Sequence, residues 1–448
     1  MFQKILIANR GEIALRIIRA CREMGIATVA VHSNVDSESL HVKMADESVC
    51  IGPAKAQESY LSVPSILSAA EITGADAIHP GYGFLAENAD FAEVCRKCDL
   101  VFIGPSSNNI RKMGDKIKAR NTMRELGLKL LPSVQATTKS KGISQKAMEE
   151  IGFPLIIKAS AGGGGKGIKI VHSESEFREK VRTVQAEAKA AFGDPTIYIE
   201  KYLNNARHIE FQVAADLMGN VICFGERDCS IQRRHQKIFE ETHSPALTPE
   251  IRSRMQETVI EATQKLGYEN VGTLEFLMGD DGEFYFLEMN TRIQVEHPIT
   301  EEVYDIDLIK MQIQLAMGEK LSISQGDLSP RGHAFEWRIN AEDSKTFFPS
   351  SGTIDSLHFP GGRGVRVDSG IYQGAQISPH YDSMIGKLVI RAATRMEAIE
   401  KSRMALAEFQ LEGVSTNIAL HKRILDDPNF IQGEYSTHFL PNMLESKQ

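Results

Sequence analysis

The stretch from Thr273 to Pro298, TLEFLMGDDGEFYFLEMNTRIQVEHP, constrains the fold more than any other part of the chain. Two apolar runs, Thr273–Met278 and Glu283–Met289, flank Gly279-Asp280-Asp281-Gly282, the pattern of a β-hairpin. Closing the hairpin over those four residues predicts Glu275 opposite Phe286. Side chains alternate faces along a strand, so Glu275, Glu288 and Asn290 are expected on one face. Two carboxylates and an amide oxygen there suit a hard cation such as Mg²⁺, held partly by substrate phosphates. Arg292, Gln294, Glu296 and His297 follow directly, crowding polar groups at the end of the same strand. A surface strand with solvated charges is the other reading. It leaves unexplained why acids interrupt apolar strands where a core should continue.

A chain of 448 residues has room for two or three domains with ample core. Its 51 basic and 59 acidic residues give a net charge of −8, which argues against a general binder of nucleic acid or anionic membrane. Small anions must then be captured by a local basic cluster. The N-terminus enters a strand without a signal-peptide pattern, and no apolar run approaches the roughly 18 residues of a membrane span. Six cysteines spread over this length suggest no disulfide framework, so a cytoplasmic setting is expected. Cys95 and Cys98 form a lone C-x-x-C, read as one side of a helix rather than as a zinc or redox site.

Lys4–Asn9 is an apolar strand, Glu12–Met24 repeats Ile13, Ile17, Ile18 and Cys21 at helical spacing, and Ile26–His32 is again a strand. This βαβ unit implies a parallel sheet and an α/β N-terminal region. Its first turn lacks G-x-G-x-x-G, which makes a dinucleotide-binding enzyme a weak rival. Asp305–Met317 is expected as an amphipathic helix, and a helix is expected to begin at Met113–Lys116. A glycine run, with Gly164, Gly165 and Lys166, separates strands ending at Lys158 and beginning at Ile168. Such a run brings backbone N–H groups against phosphates at little steric cost, although a surface hairpin has the same composition. Glu226–Lys237 is dense in charge and is read either as a solvated run or as the anion-holding cluster of a net-acidic chain. Cys229 beside it is a minor candidate for a thiol of lowered pKa acting as base.

Glu275 with EMNTRIQVEHP (Glu288–Pro298), HPGYGFLAEN (His79–Asn88), ERDCSIQRRHQK (Glu226–Lys237) and RGHAFEWRINAED (Arg331–Asp343) resemble the biotin carboxylase family of the ATP-grasp enzymes. The resemblance runs from Lys4 to about Phe439. It implies an N-terminal α/β domain (1–114), an ATP-grasp domain (115–330) with a mobile glycine-rich flap at about 131–203, and a C-terminal antiparallel sheet with helices (331–448).

It also implies roles. Lys116, Lys158, Gly164, Gly165, Lys166, Gln232 and His235 would lie at the phosphates, and Glu200, Lys201, Tyr202, Leu203, His208 and Leu277 at adenine and ribose, with backbone groups of Lys201 and Leu203 reading the base edge. Glu275, Glu288 and Asn290 would hold Mg²⁺ or Mn²⁺, two ions in all. Arg292, Lys237, Gln294 and Val295 would hold bicarbonate, Glu296 would take its proton, and Arg338, Tyr82 and Gly83 would face biotin. Trp337 beside Arg338 leaves the packing there open.

The implied reaction is ATP-dependent carboxylation of biotin through carboxyphosphate. Without an A-M-K-M attachment site the biotin is expected on a separate carrier protein, with carboxyltransferase subunits beyond it. Acetyl-CoA carboxylase is the expected parent complex, pyruvate or propionyl-CoA carboxylase the alternative. A homodimer is implied, to which a basic helix with Arg16, Arg19 and Arg22 would contribute, though solvent exposure accounts for those charges equally well. Two rivals are a different ATP-grasp carboxylase or ligase and a non-catalytic ATP-binding subunit. The latter would be expected to lose some of Glu275, Glu288, Arg292, Glu296 and Lys237, and the chain keeps all five.

Overall fold

The computed structural model describes residues 1–136, 151–159, 168–192 and 195–445. Gly164, Gly165 and Lys166 lie outside the described residues.

The N-terminal region is a parallel sheet of β1 (Lys4–Ile7), β2 (Ala27–Ser33), β3 (Glu47–Gly52), β4 (Ala77–His79) and β5 (Val101–Phe102) in the order β3-β2-β1-β4-β5. The helix Gly11–Glu23 buries Ile13, Ile17, Ile18 and Cys21 against it, at the predicted spacing. Each of these isoleucines contributes roughly 1.5–3 kcal/mol relative to exposure. Arg16 departs from the expected basic surface. It is buried, 2.9 Å from Glu301 and 2.7 Å from Asp307, and only Arg19 and Arg22 face solvent.

Two expected helices begin elsewhere. Met113–Lys116 is a junction between the helices Ser107–Gly114 and Lys116–Glu125, where the Asp115 carboxylate caps the second by accepting from the Ile117 and Lys118 N–H groups. The predicted Asp305 start moves to Leu308, because Asp305 is left-handed and Asp307 is the cap, accepting from the Lys310 N–H. Cys95 is buried and Cys98 exposed at the end of its helix, both as free thiols.

A small antiparallel sheet, β6 (Ser133–Ala136), β7 (Leu155–Ala159), β8 (Ile168–Val171) and β9 (Ile197–Lys201), has the order β6-β9-β7-β8. The central sheet contains β10 (Arg207–Ala215), β11 (Val221–Arg233), β12 (Gln236–Thr242), β13 (Asn270–Met278), β14 (Phe284–Asn290) and β15 (His333–Asn340). After the short β16 (Gly352–Thr353) and β17 (Ser356–His358) come β18 (Val365–Ser369), β19 (Gln376–Ile377), β20 (Met384–Ala392) and β21 (Gln410–Glu412). The central order is β14-β13-β10-β11-β12-β15-β20-β18, so the C-terminal antiparallel strands continue the central sheet through the β12–β15 ladder.

The hairpin register differs from the prediction. Met278 pairs with Phe284 and Phe276 with Phe286, then the register shifts and Glu275 pairs with Glu288. The loop holds one more residue than expected, and Leu287 is bulged out. The two offsets cancel in parity, so Glu275, Glu288 and Asn290 do share a face. Trp337 is 0% exposed and donates to Ser402 Oγ at 3.0 Å. It packs on the opposite face of β15 from Arg338, as neighbours on a strand must.

Candidate active site

A cavity of about 1260 Å³ opens where the N-terminal loops, the small sheet and the central sheet meet. Every described residue named above for nucleotide, metal, bicarbonate or biotin lines it, with the exception of Glu296.

The strand register builds its wall. Arg227, Glu210, Glu275 and Glu288 form one cross-strand row over β11, β10, β13 and β14. Three carboxylates side by side repel one another unless cations intervene. Arg227, fully buried, gives its Nε to Glu210 at 2.6 Å. Lys237 donates to Glu210 (2.5 Å), Glu275 (3.0 Å) and Glu296 (2.6 Å). A bulge at Ile238, between the Gln232–Lys237 and Ile231–Phe239 pairs, brings Lys237 and Glu240 to the same face.

Glu275 also accepts from Asn290 Nδ2 and Gln294 Nε2, each at 2.9 Å, and its Oε2 lies 3.0 Å from His208 Nε2. Burial would raise the Glu275 carboxyl, but Lys237 and His208 outweigh it and hold it well below the usual range. His208 moves the other way, burial opposing its charge and Glu275 restoring it above the ordinary imidazole value. Glu288 is pushed up by burial and by Glu275. Lys116 and His208 offset this only in part, and a divalent cation would neutralise the remainder, so Glu275 and Glu288 fit Mg²⁺. Asn290 is placed beside them, but its Oδ1 accepts from Arg292 Nη2 at 3.0 Å. His208, Glu210 and Glu275 also converge within 4.8 Å, yet Arg227 and Lys237 already hold the two Glu210 oxygens.

Glu296 is 0% exposed, behind the wall rather than on it. Its Oε1 meets Lys237, and its Oε2 accepts from Arg338 Nη2 at 2.9 Å. Burial alone would raise it, whereas Lys237, Arg338 and Arg227 hold it well below the usual range, ionised. Cys229, 3.9 Å from Glu296, corrects the minor expectation of a reactive thiol. Burial and Glu210 push it well above the ordinary thiol value, which removes it as a base.

Where the small sheet lines the cavity, Glu200 lies 2.7 Å from both Arg120 and Lys158. The Lys201 N–H is donated to the Pro132 carbonyl at 3.0 Å, which removes that group from reading a base edge. Gln232 donates to the Cys229 carbonyl at 2.7 Å and lies 2.8 Å from His208 Nδ1. His235 stands at φ +67°, its charge disfavoured by burial and Lys158. Tyr82 donates to Glu12, and the Val295 carbonyl accepts from Lys387 Nζ at 2.8 Å.

Several participants escaped the sequence reading. Glu87 holds Arg292 Nε at 2.9 Å although it stands in the His79–Asn88 loop quoted for the family. Glu210 was findable, since it lies two residues from His208 on one strand. Arg227 and Glu240 carried no separate signal. His438, 2.5 Å from the Tyr202 hydroxyl, reaches the cavity from the far end of the chain.

Family models match along the chain: "Biotin carboxylase, N-terminal domain" over residues 1–110, "Carbamoyl-phosphate synthase L chain, ATP binding domain" over 115–324, and "Biotin carboxylase C-terminal domain" over 336–442. The chain is 52% identical over 445 residues to a biotin carboxylase of Haemophilus influenzae, covering 99% of each. Its fold is similar to a biotin carboxylase–β,γ-ATP complex from Campylobacter jejuni (TM-score 0.95, 47% identity, 99% of each chain). It is also similar to the biotin carboxylase domain dimer of Hydrogenobacter thermophilus 2-oxoglutarate carboxylase with MgADP, ADP and bicarbonate (TM-score 0.94, 46% identity, 99% of each chain). With family models over most of its length and a 52% identical relative covered to 99%, the chain belongs to the biotin carboxylase family of ATP-grasp enzymes.

Proposed function

We propose that this chain carboxylates the ureido nitrogen of biotin borne on a separate carrier protein, consuming ATP and bicarbonate and releasing ADP and phosphate. The observation that carries the reading is the buried contact of ionised Glu296 with Lys237 and Arg338 beside the cavity.

Bicarbonate becomes a useful electrophile once one oxygen is a leaving group. Its oxygen attacks the γ-phosphorus, ADP departs, and carboxyphosphate forms. Arg292, Lys237, Gln294 and the Val295 backbone hold the bicarbonate, and Glu296 takes its proton. While both cations touch it, Glu296 is a weak base. Bicarbonate draws Lys237 and Arg338 toward its own oxygens, which raises the proton affinity of Glu296. Lys116, Lys158, Gln232, His235 and the glycine run with Gly164, Gly165 and Lys166 hold phosphates. Glu200, Tyr202, Leu203, His208 and Leu277 surround the nucleoside with the Lys201 carbonyl side. Mg²⁺ or Mn²⁺, two ions in this reading, would neutralise the phosphate charge, held by Glu275 and Glu288 and joined by Asn290 once Arg292 turns to bicarbonate. Carboxyphosphate divides into CO₂ and phosphate. That phosphate takes the ureido proton, and the nitrogen attacks CO₂. Arg338 and Arg292 stabilise the biotin enolate, with Tyr82 and Gly83 along its approach; such charge stabilisation is worth about 3–4 kcal/mol in a dry site.

The parent complex in this reading is acetyl-CoA carboxylase, with carboxyltransferase subunits taking the carboxyl group onward. Resemblance to the carboxylase domain of a 2-oxoglutarate carboxylase favours a keto-acid acceptor as the second reading. A homodimer in the cytoplasm completes it. Among the described residues no helix is long and apolar enough to cross a membrane.

Purified chain with ATP, Mg²⁺ and labelled bicarbonate tests the reading. ADP release that rises with free biotin, and label fixed on biotin, is the expected result. Equal ATP cleavage without biotin means another acceptor, and binding without cleavage means a regulatory subunit.

A further inference from the structure

The central sheet buries a second acidic pair that the reaction above does not use. Glu240 on β12 and Glu336 on β15 face each other directly across the ladder, and both are 0% exposed. Arg338 Nε donates to Glu240 Oε1 at 2.6 Å. Glu240 Oε2 and both oxygens of Glu336 have no hydrogen-bond partner among the described residues. Bare carboxylate oxygens in a dry interior are costly while charged, and like charges directly opposite on a sheet add to the cost.

The surroundings do not supply enough positive charge for both acids. Glu336 is faced by Arg338 on its own strand, Lys387 from β20, Glu240 from β12, and Glu296. Tyr82 approaches from the His79–Asn88 loop. His297 and Glu301 lie on the helix packed against β15. His297 is kept neutral by burial and by Lys387, and Glu301 is paired to Arg16 and Arg366. Among the described residues, the two cations acting on Glu336 are already committed. Arg338 serves Glu240 and Glu296, and Lys387 serves Glu12 at 3.2 Å and the Val295 carbonyl.

We propose that Glu240 and Glu336 hold one proton between them and that the pair is a positioning device for Arg338. A single negative charge anchors the guanidinium at the cavity wall beside Glu296. Two would draw it back toward Glu336 and out of reach of an anion forming on biotin. Burial pushes both carboxyls above the usual carboxylate range, in keeping with a retained proton. The proposal rests on the carboxylation reading for its purpose, though not for its chemistry.

Infrared spectra of the ligand-free protein test it first. Wild type minus Glu336→Gln is expected to show one protonated-carboxyl stretch at neutral pH, shifted by deuterium exchange. No such band in the difference overturns the proposal, and it does so whether or not the chain carboxylates biotin. Kinetics then test the positioning role. An alkaline fall in kcat/KM for biotin is expected in wild type and should vanish in Glu336→Gln. Glu240→Gln should lower kcat/KM for biotin on the order of tenfold, as loss of a charge-assisted hydrogen bond would, with KM for ATP unmoved. An alkaline limb that persists in Glu336→Gln, or equal changes in the biotin and ATP parameters of Glu240→Gln, would leave only a structural role. Absence of biotin-dependent ADP release in wild type would instead indict the carboxylation reading.

Discussion

The ammonium of Lys237 lies 2.6 Å from Oε1 of Glu296, and the same ammonium bonds Glu210 and Glu275. The proposed base and the proposed metal site are thus joined through one cation. Replacing Glu296 by Gln preserves side-chain shape and removes the proposed acceptor of the bicarbonate proton. Biotin-dependent ADP release should fall by about 10²–10⁴-fold, the range for losing a positioned general base. Circular dichroism should be unchanged. Turnover within a few-fold of wild type would exclude Glu296 from that role.

Burial and Glu275 push up the Glu288 carboxyl, and among the described residues Lys116 and His208 offset them only in part. Glu288→Gln should raise the Mg²⁺ concentration for half-maximal ATP turnover by at least the roughly 10- to 100-fold that even outer-shell losses cause. A Mg²⁺ titration superimposable on wild type would place the ion elsewhere.

Arg227 is the buried support of the acidic row. It donates to Glu210, Gln212, Thr300 and Thr273, and it is 0% exposed. Arg227→Met leaves Glu210 buried with Lys237 as its remaining cation. Breaking one partner out of a buried ion pair costs about 3–5 kcal/mol, so the urea midpoint should drop accordingly. Arg227→Lys should recover little of this, because an ammonium cannot reproduce the planar fork. A midpoint unchanged in Arg227→Met would mean that the row is balanced without it.

What the sequence disclosed and what it hid divide along a physical line. The alternation of Glu275, Glu288 and Asn290 and the repeat of Ile13, Ile17 and Ile18 are local periodicities, and they place side chains on faces wherever the ladder is regular. Bulges break that inference. Leu287 and Ile238 are each one extra residue, and neither carries a turn signal in its neighbourhood. The pairing of Glu275 with Glu288 and the alignment of Lys237 with Glu240 both depend on them. Long-range partners were hidden for a different reason. Glu87 reaches Arg292 across 205 positions and His438 reaches Tyr202 across 236. No spacing rule encodes such contacts, so Arg292 and Tyr202 were visible while the residues holding them were not. Glu296 shows the converse limit, since a motif names the residue without revealing that its carboxylate sits behind two cations.

Glu241 neighbours Glu240 on β12 and therefore points to the other face, where it ties the central strands to the C-terminal helices. Arg395 grips it at 2.8 and 3.0 Å, His333 lies at 2.6 Å, and the Tyr435 hydroxyl donates to it. Burial would raise this carboxyl, but Arg395 and His333 outweigh it and lower it from the ordinary 4.5 to about 2. A folded-state value below the unfolded one stabilises fully above 4.5, and that stabilisation is lost as pH falls through about 2. The displacement corresponds to roughly 3 kcal/mol. Glu241→Gln should therefore be less stable than wild type by about that amount at neutral pH. The gap should narrow as the buffer is taken from about pH 5 toward about pH 3, because wild type alone loses this charge. Urea unfolding of both proteins along that series measures it. A gap that stays constant with pH would mean that packing around Tyr435 and Phe430, rather than the carboxylate charge, makes Glu241 matter.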